Sequence, residues 1–118
     1  MSRNRIEEVN QIVFTEWFRI QYPKYEKLLN LGSFGENVGA RRMKRLKAMG
    51  LTPGHPDLIL YVPRGMFHGL LIEMKTKTGR VSPIQKQIHD LLREQNYKVE
   101  VARSYEKASE ILKCYLKG

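Results

Sequence analysis

Two acids and a lysine lie at the ends of two short apolar runs in the middle of the sequence. Asp57 precedes the run at residues 58–62, and Glu73 and Lys75 follow the run at residues 69–72. Apolar runs of this length, bounded by Pro and Gly, predict two β-strands that form a hairpin. Because side chains alternate along a strand, Glu73 and Lys75 share one face of it. The pattern predicts two carboxylates and one lysine that converge.

Carboxylates and a lysine in this arrangement are suited to metal-dependent cleavage of phosphodiester bonds. Asp57 and Glu73 offer hard oxygen ligands for Mg²⁺ or Mn²⁺, and the backbone carbonyl of Met74 is a further candidate ligand. Lys75 would orient or help to deprotonate the attacking water and neutralise charge on the phosphate. An acid two residues before a lysine also occurs on solvated strand edges. The pairing with Asp57 favours the nuclease interpretation.

A first helix is predicted at residues 5–20, where apolar residues recur every three or four positions. Its apolar stripe consists of Ile6, Val9, Val13, Trp17 and Ile20. Glu7 falls at the border of this stripe, on the side of Phe14 and Phe18. A carboxylate at such a border either remains at the surface or turns inward, where Glu7 would complete a metal site with three acids.

The next segments carry much of the positive charge. The pattern predicts a short helix at residues 25–31 and a glycine-rich loop at residues 32–39, which we expect to lie over the substrate. A basic helix follows and ends at Gly50. Its cationic residues are Arg41, Arg42, Lys44, Arg45 and Lys47. This run is either a solvated face or a clamp for DNA phosphates.

The charge of the whole chain favours a polyanionic partner. The sequence contains 21 Lys and Arg against 12 Asp and Glu, which gives a net charge of +9. On a chain of 118 residues this charge creates a field that attracts nucleic acid. Residues 37–56 contain no acid, so the positive excess is concentrated directly before Asp57.

The second half of the chain predicts a polar turn and a capped helix. Lys77 and Arg80 in the turn are further candidates for contacts with DNA. Ser82 is a good cap for the helix, and Gln85 in its first turn is either exposed or hydrogen-bonded to Lys75 or to a phosphate oxygen. The buried side of this helix is assigned to Ile84, Ile88, Leu91 and Leu92.

An alternating strand at residues 98–102 and a last helix capped by Ser104 complete the chain, so at least one pair of strands is parallel. The predicted fold class is α/β, an α+β sandwich in which helices flank a small mixed β-sheet, in the approximate order α-α-α-β-β-α-β-α. Residues 1–118 are expected to form one domain. One cysteine, Cys114, excludes an internal disulfide and is expected to pack as a small apolar residue.

No apolar run reaches the length of a membrane span, and the first residues do not resemble a secretory signal. We therefore expect no membrane partner and a cytoplasmic location.

Taken together, four motifs resemble the VRR-NUC branch of the PD-(D/E)XK nuclease superfamily, whose core is restriction-endonuclease-like. These motifs are Glu7, Gly54-His55-Pro56-Asp57, Glu73-Met74-Lys75 and Ser82-Pro83-Ile84-Gln85.

The resemblance implies a role for each matching residue. Asp57, Glu73 and the backbone of Met74 would bind the metal, Lys75 would be the catalytic lysine, and Gln85 would support the site. The first-helix acid of the family would correspond to the glutamate at position 7. Stand-alone chains of this family are typical of bacteriophages and bacteria, are similar to homodimeric enzymes and act on branched DNA such as four-way (Holliday) junctions or flaps.

The resemblance thus implies a Mg²⁺- or Mn²⁺-dependent endonuclease that acts as a homodimer on branched DNA, in the cytoplasm of a bacterial host if a phage encodes it. Phe34, Tyr61 and Phe67 are candidates for the dimer interface.

One alternative is a basic DNA-binding accessory module without catalysis, although its acids would repel DNA unless a cation bridged them. A restriction enzyme that reads a defined sequence ranks lower, because the chain leaves little room for a base-reading insertion.

Overall fold

The computed structural model of the protein describes residues 2–33 and 38–118, and its strands form one mixed sheet of four. In sheet order the strands are β1 (Leu29–Leu31), β2 (Leu58–Leu60), β3 (Leu70–Met74) and β4 (Lys98–Ala102). β2 pairs with both β1 and β3 in antiparallel register, and β3 pairs with β4 in parallel register. The predicted small mixed sheet, its hairpin and its parallel pair are confirmed.

In the same two ranges of the chain, four α-helices flank this sheet. They are α1 (Arg3–Gln21), α2 (Ala40–Ala48), α3 (Pro83–Glu94) and α4 (Tyr105–Lys117). None of the helices in the part of the chain that the structure describes is long and apolar enough to cross a membrane.

Serine side chains fix where three of the helices begin. The hydroxyl of Ser82 accepts a hydrogen bond from the backbone N–H of Gln85, and the side-chain oxygen of Gln85 accepts one from the N–H of Ser82. This reciprocal capping box satisfies two donors that the first turn of α3 leaves free. Ser2 and Ser104 also cap α1 and α4 through their hydroxyls, whereas α2 begins after Gly39 with no side-chain cap from a described residue.

The two faces of the sheet are covered by different helices. Phe14 and Phe18 of α1 are fully buried and join Met74 of β3 in a continuous apolar core that also includes α4. Each fully buried phenylalanine contributes roughly 1.5–3 kcal/mol from the removal of apolar surface from water. α3 lies on the opposite face, where its His89 contacts Glu73. Met74 of β3 thus points into the apolar core, and Glu73 points to the opposite face of the sheet, as strand alternation predicts.

The prediction of a helix at residues 25–31 was wrong. Pro23–Leu28 forms a 3₁₀ helix, and Leu29–Leu31 continues as the edge strand β1. Asn30 pairs with Ile59 in β2, so backbone hydrogen bonds to a neighbouring strand decide the conformation of this segment. Local helix propensity is a weak preference that such tertiary pairing overrides.

Two predicted buried faces were wrong in part, and the predicted burial of one cysteine was wrong. In α1, Ile20 is 75% exposed and the aromatic side chains at positions 14 and 18 are buried instead, because α1 packs its aromatic side against the sheet and α4. In α3, Ile84 and Leu91 are 57% and 50% exposed, since the helix turns a polar residue toward the sheet. Cys114 is exposed on α4 rather than packed in the core.

Candidate active site

Asp57 lies immediately before β2, and two hydrogen bonds hold its carboxylate. Its Oδ2 accepts from the backbone N–H of Met74 at 2.7 Å, and its Oδ1 accepts from the hydroxyl of Ser33 at 3.3 Å. Because Met74 is the last residue of β3, the first bond fixes Asp57 against the strand that carries Glu73. The second bond ties Asp57 to the segment that follows β1. Asp57 is therefore oriented by both neighbouring strands.

Gly32 allows the segment after β1 to approach Asp57 closely. The backbone N–H of Gly32 donates to the carbonyl oxygen of Asp57 at 2.8 Å. A Cβ atom at position 32 would collide with the carbonyl oxygen of Pro56. Only glycine fits such a close approach between two backbones. A larger residue here would separate Ser33 from the Asp57 carboxylate.

Glu73 is a buried carboxylic acid, with 2% of its surface exposed. Burial and, next, the nearby Asp57 carboxylate raise the pKa of Glu73 to about 9. Both effects disfavour the charged form of a carboxyl group. Its Oε1 lies 3.1 Å from Nε2 of His89, which is equally buried. Asp57 and Glu73 thus form an adjacent pair of acids, of which Glu73 retains its proton at neutral pH.

Lys75 and Glu7 both lie within electrostatic reach of Glu73. The Lys75 ammonium lowers the pKa of Glu73, although less than burial raises it, and the Glu7 carboxylate raises it further. The backbone N–H of Lys75 donates to the carbonyl oxygen of Ala102 at 2.9 Å, which continues the pairing of β3 with β4. Glu7 is half-buried and lines the cleft that Asp57 also lines. All four ionisable residues, Asp57, Glu73, Lys75 and Glu7, therefore lie in one region.

The donor set of this region suits a hard divalent cation. Two adjacent carboxyl groups, one of which carries a proton that a cation can replace, are typical of sites for Mg²⁺ and Mn²⁺. Within residues 2–33 and 38–118, no three His, Cys, Asp or Glu side chains are grouped closely enough to hold a metal by themselves. Glu7 thus lies near Asp57 and Glu73 without forming a three-acid group with them. The remaining ligands would be backbone carbonyls, such as that of Met74, and water.

Gln85 lies at the start of α3, beside the same cleft. Its side-chain oxygen caps the helix by accepting from the N–H of Ser82 at 2.9 Å. It lines the cleft together with Glu7 and Asp57. Gln85 therefore fixes the first turn of α3 next to the acids, and its NH₂ group is the part of the side chain that the capping box does not use.

Three residues that hold the site in place were not singled out from the sequence: Ser33, His89 and Arg103. The guanidinium of Arg103 donates from Nη1 to the carbonyl oxygens of Thr76 at 2.8 Å and of Gly79 at 2.6 Å. These bonds fix the turn that directly follows Lys75. The parallel register, in which Met74 pairs with Ala102, places residue 103 beside residue 75. The sequence predicts a parallel pair of strands without its register, so Arg103 had no signal in the sequence.

His89, in contrast, had a signal in the sequence. His89 follows Gln85 by four residues, so the two side chains lie on the same side of α3. The apolar residues Ile88 and Leu92 flank this side and are half-buried. Ser33 had no comparable signal, because its contact with Asp57 depends on the unpredicted strand β1.

The basic residues predicted to contact DNA lie on the surface. The five cations of α2 are exposed, as are Lys77 and Arg80 in the turn after Lys75. Met43 on the inner side of α2 lines the cleft, which has a volume of about 1030 Å³ and also includes Asp57. α2 thus forms one wall of this cleft with its cations directed outward. Phe34 and the middle of the predicted glycine-rich loop lie outside the residues that the structure describes.

A small mixed sheet flanked by helices, with acids and a lysine at the ends of adjacent strands, defines an α+β fold of the nuclease type. A family model described as the VRR-NUC domain matches residues 6–106. A solved structure of a "VRR_NUC domain protein" is similar to this chain, with 27% sequence identity and a TM-score of 0.83, over 95% of this chain and 88% of that chain. A search of curated proteins gave no match.

The chain belongs to the VRR-NUC domain family. The family resemblance of its motifs is confirmed, and family membership indicates a nuclease-type function on DNA.

Proposed function

We propose that the protein is a Mg²⁺- or Mn²⁺-dependent DNA endonuclease that hydrolyses phosphodiester bonds. Asp57, Glu73 and the backbone carbonyl of Met74 would hold the cation. The observation that carries this proposal is the adjacent pair of acids, in which burial and Asp57 raise the pKa of Glu73 to about 9. Two carboxyl groups that repel one another in a buried site are stabilised when a dication replaces the proton. When bound, the cation would polarise the scissile phosphate and acidify a water molecule.

Lys75 is the residue we propose to act on the reacting atoms. It lies two residues after Glu73, directly beyond the end of β3, and its charge reaches the Glu73 carboxyl group. An ammonium there can orient the attacking water and neutralise the negative charge that develops on the phosphate. The backbone of Lys75 is bonded to Ala102, and Arg103 fixes the turn that follows. Such anchoring fixes the backbone from which the Lys75 side chain extends before the substrate binds.

Asp57 and Gln85 would complete the arrangement. The hydrogen bonds from Met74 and Ser33 hold the Asp57 carboxylate in one orientation beside Glu73. Gln85, fixed by the capping box, would direct its NH₂ group toward a phosphate oxygen or toward Lys75. Glu7, which lines the same cleft, would act through water or through its charge.

The basic helix α2 would grip DNA phosphates. Its five cations and the net charge of +9 favour a polyanion, and contacts of this kind position DNA without reading its sequence. Lys77 and Arg80 would extend the grip along the turn after Lys75. Affinity from such contacts falls steeply as the salt concentration rises.

Branched DNA and a homodimer are parts of the proposal that rest on the family resemblance. Two symmetric cuts at a four-way junction are most simply made by a two-fold dimer. Tyr61 is 56% exposed and Phe67 is half-buried, so both remain candidates for the interface. Light scattering tests the dimer: a mass near 13.8 kDa would be a monomer and would remove it.

A panel of labelled substrates tests the activity. Single-stranded DNA, duplex, flap and four-way junction are incubated with Mg²⁺ or Mn²⁺, using the parent protein and Asp57→Ala. We expect cleavage by the parent alone, strongest on the junction or the flap, and none with EDTA. Equal cleavage by Asp57→Ala would refute the proposed site. Tight binding of DNA without cleavage of any substrate would favour the accessory module that lacks catalysis.

A further inference from the structure

The buried imidazole of His89 has a position that the proposed chemistry does not by itself explain. His89 and Glu73 are each 2% exposed, and Nε2 of His89 lies 3.1 Å from Oε1 of Glu73. Burying two polar side chains costs free energy unless each finds a hydrogen-bond partner. Every buried side-chain nitrogen and oxygen of the described residues has such a partner. The contact between His89 and Glu73 is therefore a defined hydrogen bond between two buried side chains.

Contacts near both ends of α3 define the helix that carries His89. On the N-terminal side, the capping box of Ser82 and Gln85 sets where the helix begins. On the C-terminal side, Nη2 of Arg93 donates to the carbonyl oxygen of Val99 in β4 at 2.9 Å. Since β4 pairs with β3, the helix is tied to the strand next to the one that carries Glu73. α3 cannot carry His89 away from Glu73 without straining the hydrogen bond between Arg93 and Val99.

The direction of the hydrogen bond follows from the state of Glu73 that would bind a cation. In that state Glu73 is an ionised carboxylate, which can only accept hydrogen bonds. Nε2 of His89 must then carry a hydrogen and donate it to Oε1. A neutral imidazole has one N–H and can provide this bond. Burial, with Arg93 and Lys75 adding to it, lowers the pKa of His89, which is consistent with the neutral form.

We propose that His89 is a positioning residue of the metal centre, which holds Oε1 of Glu73 so that Oε2 is presented to the divalent cation. This inference rests on the proposed function, since it requires that Glu73 binds the cation. Removal of a group that hydrogen-bonds to a metal ligand commonly lowers the affinity for the metal by about 10- to 100-fold. His89 does not touch the substrate. It acts through the orientation of Glu73.

Two amide variants form a matched pair for the test. The amide nitrogen of His89→Gln can occupy the place of Nε2, whereas the shorter side chain of His89→Asn reaches only the place of Nδ1. Both remove the ring and leave a polar side chain in the same site. The binding of Mn²⁺ to the full chain, without DNA, is measured by calorimetry at a temperature at which circular dichroism shows each variant to be folded.

We expect Mn²⁺ affinity to fall by about 10- to 100-fold in His89→Asn and to be largely retained in His89→Gln. At saturating Mn²⁺ the cleavage rate of His89→Asn should recover toward that of the parent, because the defect is in the affinity for the cation. If both variants lose stability equally and bind Mn²⁺ as the parent does, His89 has only a structural role and the inference is overturned.

The parent protein separates this inference from the proposed function. If the parent binds no Mn²⁺, both fail. If the parent binds Mn²⁺ and Asp57→Ala does not, the metal site stands, and the comparison of the Gln and Asn variants decides the role of His89 alone.

Discussion

The acid pair and the basic helix α2 are built in opposite ways. Asp57 and Glu73 are held by hydrogen bonds from other elements, and Glu73 is almost completely buried. α2 has no side-chain cap from the described part of the chain, and only Met43 and Leu46 on it are half-buried. The acid pair therefore has a geometry that packing fixes, whereas α2 contributes charge on the surface. Substitutions in the two regions should change different quantities.

The difference also shows where the fold tolerates an unfavourable group. Keeping a carboxyl group buried beside a second one costs stability, and such costs persist where the surrounding structure over-determines them. In α2 the like charges face water, where salt screens their repulsion. Loss of an acid should thus affect chemistry and stability, and loss of a cation should affect the affinity for DNA.

The strongest effect should occur at Lys75. Lys75→Ala should lower the cleavage rate by roughly 100- to 1000-fold, the range seen when one charge-stabilising group is removed from an active site. DNA binding should be nearly unchanged. The assay is single-turnover cleavage of a junction substrate with Mn²⁺. The control is Lys86→Ala, which removes an exposed lysine of α3, and equal rates for the two variants would contradict the role of Lys75.

The second effect is a pH dependence of stability that comes from Glu73. Its pKa is raised from 4.5 to about 9 in the folded protein, so between these values the folded state binds more protons than the unfolded state. The stability of the metal-free protein should therefore fall as the pH rises through this window, and Mn²⁺ should offset the loss. Thermal denaturation with EDTA at several pH values measures this.

Glu73→Gln isolates the contribution of this group. The variant should lack the part of the pH dependence that Glu73 causes, while Glu8→Gln, on the exposed side of α1, should retain it. A parent and a Glu73→Gln variant with parallel stability curves would show that Glu73 titrates normally.

The third effect is at Arg103, which holds the turn after Lys75. Arg103→Ala should reduce the cleavage rate by about 10- to 100-fold, because small displacements of a catalytic group are costly. Its Mn²⁺ affinity should remain that of the parent, since the acids are held by other contacts. Arg5→Ala, which removes an exposed arginine of α1, is the matched control. A parent-like rate in Arg103→Ala would mean that the turn keeps its shape without these hydrogen bonds.

The weakest effect is expected for single cations of α2. Arg42→Ala should weaken DNA binding a few-fold on every sequence and reduce the salt slope of the binding constant by about 0.9, because one fewer phosphate is neutralised. The cleavage rate at saturating DNA should be unchanged. Anisotropy titrations at several salt concentrations measure the slope. A slope equal to that of the parent would place Arg42 outside the DNA interface.

Local sequence patterns predicted the parts of the fold that depend on neighbouring residues. The apolar runs before Glu73 and after Asp57 predicted β3 and β2, and the serine caps predicted the starts of α3 and α4. Alternation along β3 correctly separated Met74 in the core from Glu73 on the other face.

The parts that depend on contacts between distant segments were not predicted. β1 is a strand because it pairs with β2, and Ser33 reaches Asp57 only through that pairing. His89 was missed because an apolar face was assumed for α3, although a buried carboxyl group requires a polar partner. The convergence of the acids was predictable, but the contacts of Ser33 and Arg103, which depend on pairing between distant segments, were not.

Calorimetric titration with Mn²⁺ examines the acid pair itself, using the parent protein, Asp57→Asn and Glu73→Gln near neutral pH. We predict that the parent binds Mn²⁺ and releases protons, because the cation replaces the proton that Glu73 holds. Proton release is detected by repeating the titration in buffers of different ionisation enthalpy. Both variants should lose binding. A parent that takes up no Mn²⁺, or variants that bind it equally well, would show that Asp57 and Glu73 do not form a metal site.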